Sequence, residues 1–108
     1  MPDAAILVLT TAPDRTVAGA LATALLDDRL AACVNIGGPV ESIYHWRDRI
    51  ETATEVPVAI KTRAALYDKV EEAIAKIHPY DTPEIIAIPV GHGSARYLAW
   101  LATETRAA

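Results

Sequence analysis

The middle of the chain constrains the fold most. Two stretches rich in β-formers face each other across a short polar break, Leu30 to Trp46 on one side and Ile50 to Thr62 on the other. The first begins as LAACVNI, an apolar run expected as a buried strand. Gly37, Gly38 and Pro39 then interrupt it as a bulge or bend would. It resumes as VESIYHW, whose alternation sets Val40, Ser42, Tyr44 and Trp46 on one face and Glu41, Ile43 and His45 on the other. RDRIE reads as the hairpin connection. The second arm, TEVPVAIKT, sets Val56, Val58, Ile60 and Thr62 on one face. Pro57 has no N–H to give to a ladder, so the strand is expected to be an edge, or bulged, at that point.

Arms of this length are about twice the usual strand. A sheet with short outer strands cannot cover their ends, which leaves Tyr44, Trp46 and Ile50 on unpaired edges and invites pairing with another chain. The expectation is a symmetric oligomer joined through the hairpin; the alternative is a tip folded over its own subunit.

The flanks supply the remaining elements. AILVLTT (Ala5 to Thr11) is an almost unbroken apolar run, expected as a strand buried on both faces. Asp14 is a helix-capping candidate, and Val17, Leu21, Ala24 and Leu25 recur at helical spacing up to about Asp28. After the hairpin, Leu66, Val70, Ala73, Ile74 and Ile77 mark one face of a second helix, stopped at His78-Pro79 because a residue before proline is pushed out of the helical region. EIIAIPV is expected as another buried strand, and Ser94 as the cap of a last short helix carrying Tyr97, Leu98, Trp100 and Leu101. The order is strand, helix, strand, strand, helix, strand and an added helix. This predicts an α+β, ferredoxin-like βαββαβ fold with a long central hairpin, as one domain over residues 1–108.

Composition narrows the function classes. The net charge is −4 and the ten basic residues are scattered, which argues against a nucleic-acid partner. No apolar stretch is long enough to span a bilayer, so no membrane partner is expected. The start, MPDAAILVLT, reads as a first strand and not as a signal peptide. A single cysteine excludes an internal disulfide and fits a reducing compartment. The expected location is cytoplasmic.

The usual catalytic signatures are missing: there is no phosphate loop, nucleophile elbow, His-Glu-x-x-His or Cys-x-x-Cys. The GHG stretch at Gly91 to Gly93 reads as a strand-to-helix turn before it reads as an anion cradle. Cys33 is either a small buried apolar group or a thiolate ligand. His45 is either an exposed cross-strand neighbour or a ligand. His78 sits at a helix C-terminus, where its ring can bond the last carbonyls or serve a metal. A stable metal site needs three or four ligands at fixed geometry, and no two of these residues share local spacing. Any such site must be assembled from distant parts of the chain or from several subunits. Lys61, Tyr80, Asp81 and Glu84 are polar groups beside apolar strands, and Lys61 would pair with Glu84 if their strands lay side by side.

AACVNI, SIYHW, IKT, HPYDTPEIIAIPV and YLAWL resemble the CutA family of divalent-cation tolerance proteins, from about Leu9 to Leu101. The resemblance implies a ferredoxin-like subunit in a homotrimer with the long hairpin at the contacts. It further implies an architecture similar to PII signalling proteins, with a ligand pocket between subunits to which Lys61, Tyr80 and Glu84 would contribute. It also implies a response to divalent metal ions, with copper as the bound ion, and no enzyme activity. Some members carry a first-strand cysteine and paired histidines as proposed copper ligands. Here Thr10 and Ile77 stand at two of those places, leaving His78, with Cys33 and His45 as the further metal candidates.

Overall fold

In the computed structural model, which describes residues 4–105, the alternation of β1 (Ala5–Ala12) is the organising pattern. Its even-numbered residues, Ile6, Val8, Thr10 and Ala12, are buried, and its odd-numbered ones are half-buried. The expectation of a strand buried on both faces is therefore met on one face only. α1 (Arg15–Asp27) follows, capped by Asp14, whose carboxylate accepts the Val17 N–H at 2.9 Å. That bond satisfies one of the free amides of the first turn. Arg29, at a φ of 59°, turns the chain back toward the sheet.

Of the run LAACVNI only Cys33–Ile36 forms a strand, β2; Leu30 and Ala31 are buried in the approach to it. β3 (Val40–Trp46) and the 15-residue β4 (Arg49–Arg63) make the hairpin. A 3₁₀ turn (Ala64–Leu66) leads into α2 (Tyr67–Ile77), followed by β5 (Ile86–Pro89) and α3 (Ala95–Glu104). α2 buries Val70 and Ile74, with Leu66 just before it, while Ile77 stays exposed. It ends where the sequence says it should, with His78 in an extended conformation ahead of Pro79. Ser94 caps α3 by accepting the Tyr97 N–H at 3.1 Å.

All strand pairings are antiparallel, in the order β2-β4-β1-β5, with β3 pairing the outer half of β4. This is a mixed α+β fold of one antiparallel sheet and three helices. α1 and α2 cover the face bearing Val8, Val58 and Ile60, and with them form the core. α3 lies over the opposite face near Lys61 and Arg63. There Lys61 Nζ stands 5.9 Å from the Tyr97 ring centroid, and Arg63 Nε donates to Thr105 Oγ1 at 2.8 Å.

Three expectations are corrected. β4 is central and not an edge, and its register with β1 runs unbroken through Pro57, so the interruption lies in the facing arm at residues 37–39. Pro57 pairs with Thr11 on one side, and its carbonyl accepts the Gly37 N–H at 2.9 Å on the other. In a strand the N and O of one residue point the same way, so the missing N–H faces the Gly37–Pro39 interruption and no ladder bond is lost. β5 is an exposed edge strand, with Ile86 51% accessible within one subunit. Lys61 and Glu84 do not face each other across adjacent strands, because β1 lies between β4 and β5.

The hairpin gives the subunit its elongated outline of 44 × 26 × 23 Å. Its outer part carries Ile43 and Ile50, 65% and 70% exposed. The tip is a two-residue turn in which Arg47 and Asp48 both have positive φ, 53° and 64°. That conformation matches the twist of a hairpin but favours glycine or asparagine over these residues.

Candidate functional site

The stop at His78-Pro79 places a short loop against the hairpin, and one histidine holds it there. The His78 side chain is 6% exposed. Its Nε2 donates to the Thr11 carbonyl at 2.7 Å, and its Nδ1 accepts the Tyr80 N–H at 3.2 Å. The Tyr80 ring packs edge-on against the imidazole, with centroids 4.7 Å apart. His78 thus ties the end of α2, the end of β1 and the following loop together, and both its nitrogens are engaged.

Between this loop and the hairpin lies a cleft of about 750 Å³. Its walls are residues 42–46 of β3, Glu55 of β4, Thr11 of β1 and residues 80–84 of the loop. β3 is held in register by pairing Ser42 with Ala53, Tyr44 with Glu51 and Trp46 with Arg49. Glu55, opposite Val40, is 7% exposed. Its carboxylate lies beside the Tyr80 phenol. Burial first, then the hydrogen-bonding and charge of Glu55, with smaller contributions from Tyr44 and Asp14, hold the Tyr80 phenol above its ordinary value of 10.0. Among the described residues the lining contains three acids, Glu55, Asp81 and Glu84, and no lysine or arginine.

A second, shallower and almost wholly apolar depression of about 350 Å³ lies beside it, lined by Leu9, Asn35, Gly37, Pro57, Ala59 and Glu84 among others. Glu84 borders both.

Of the predicted ligand-binding trio the structure brings Tyr80 and Glu84 to the cleft; Lys61 lies near α3 instead. Of the predicted metal trio only His45, opposite Ile50 on the outer hairpin, lines the cleft. Cys33 is half-buried on β2 opposite Lys61, its Sγ 3.9 Å from Asn35 Oδ1. The β4 partners of His45 and Cys33, residues 50 and 61, are eleven positions apart. That separation is roughly 35 Å along a strand. Among the described residues no three His, Cys, Asp or Glu side chains gather in a way that could hold a metal ion. These donors do not fit a copper site within one subunit. Glu55 was not singled out from the sequence, since a lone acid ahead of VPVAI carries no signal of its burial beside Tyr80.

A small α+β subunit with a projecting hairpin and a cleft walled by acids and aromatic rings is the class that fold and site define. The comparisons give it a family: residues 6–104 match the model described as CutA1 divalent ion tolerance protein, and the chain belongs to that family. It is 40% identical over 99 residues to the divalent-cation tolerance protein CutA of Thermus thermophilus, covering 92% of this chain and 96% of that protein. It is 41% identical over 101 residues, 94% of this chain, to the rice protein CutA 1, chloroplastic. The chain spans little more than half, 57%, of that rice protein's length. The crystal structure of CutA1 from the psychrotrophic bacterium Shewanella sp. SIB1 superposes with a TM-score of 0.93 at 40% identity, covering 98% of this chain and 99% of that one. Among the described residues no helix is long and apolar enough to cross a membrane.

Proposed function

We propose that this chain acts in divalent-cation tolerance as a homotrimer of ferredoxin-like subunits, binding copper(II) without catalysis through donors drawn from more than one subunit. The observation that carries the reading is the spread of donors. Cys33 and His45 sit far apart in one subunit and both nitrogens of His78 are engaged, while His45 lies on an outlying hairpin whose Ile43 and Ile50 are mostly exposed. Exposed apolar side chains on an uncovered hairpin favour a second chain as their cover. His45 is the donor best placed for a shared site, because it is exposed and shares the cleft with Asp81 and Glu84. His78 would have to release Thr11 or Tyr80 before it could ligate. A cytoplasmic location belongs to the same proposal.

Two measurements test it. Light scattering should give about 35 kDa, three times 11.6 kDa. Calorimetric titration of copper(II) at neutral pH should show saturable binding weakened by His45→Ala and by Cys33→Ala. A monodisperse single-chain particle, or copper binding untouched by both substitutions, defeats the proposal.

A second reading is favoured by the cleft itself. Its volume falls in the range of small-molecule sites, roughly 300–1,000 Å³. A PII-like sensor would bind its ligand there through Tyr80 and Glu84, with Lys61 supplied by a neighbouring subunit. A thermal-shift screen tests it, since a ligand that binds only the native state raises the melting temperature.

A further inference from the structure

We draw no further inference here: the strongest candidate, the exposed apolar row of Ile86, Ile88 and Val90 along the edge strand β5 and just beyond it, carries nothing because nothing in the structure shows what covers it.

Discussion

A methyl group on Gly37 would lie 2.9 Å from Pro57 Cγ, closer than real side-chain carbons approach. The two residues meet where the first hairpin arm is interrupted, and the Gly37 N–H bonds the Pro57 carbonyl there. Gly37→Ala should therefore destabilise the protein by about 1–3 kcal/mol, the usual cost of overpacking. Gly38→Ala, with nothing within 4 Å of the added carbon, should fall within about 0.5 kcal/mol of the parent. Chemical denaturation at one protein concentration compares them, and equal midpoints for the two variants would refute the close-contact account.

His78→Ala removes partners from two backbone groups, the Thr11 carbonyl and the Tyr80 N–H. Leaving buried polar groups unpaired costs about 1–3 kcal/mol each. A loss of about 2–5 kcal/mol is expected, with faster amide exchange at Tyr80. His78→Asn can restore one of the two bonds and should recover part of the loss.

The hairpin tip stores strain that substitution can release. Asp48 holds a φ of 64° that glycine adopts without penalty. Asp48→Gly should stabilise by about 0.5–1 kcal/mol, read as a higher melting temperature. No gain, or a loss, would mean that the Asp48 side chain makes an offsetting contact.

Alkaline pH should weaken the fold through two phenols. Tyr80 is raised by burial and by Glu55, and Tyr67 by burial and by Glu71 and Asp68. A raised folded value means that above pH 10 the unfolded chain gives up its phenolic protons before the native one does. Native protonation is then the state that costs nothing below pH 10, and its contribution is lost as pH rises through the folded values. The melting temperature should accordingly fall with pH above about 10 for this reason. Tyr80→Phe should flatten part of that fall, and an identical pH profile in the variant would contradict it.

Local chemistry was legible in the sequence, and convergence was not. Asp14, Ser94 and His78-Pro79 could be placed correctly because a helix cap or stop is decided within three or four residues. The long hairpin was legible from its two β-rich arms. The exposure of Ile86 on β5 was not, because an apolar run looks the same whether its own subunit or another chain covers it. Pro57 signalled a missing donor, but only the partner geometry shows that the gap faces the Gly37–Pro39 interruption. Tyr80 and Glu84, selected as ligand candidates, both line the cleft, whereas Lys61 was set apart by the intervening β1. Glu55 went unseen because its role depends on a loop 25 residues further along the chain, from residue 55 to residue 80.

One unbroken strand, β4, runs from the buried body of the subunit out to its tip. Val58 and Ile60, deep among the helices, therefore share a backbone with Thr52 and Ile50 in the outlying arm. Anything that grips the arm also pins the alignment of the interior, so a contact made at the tip would be felt as rigidity in the body.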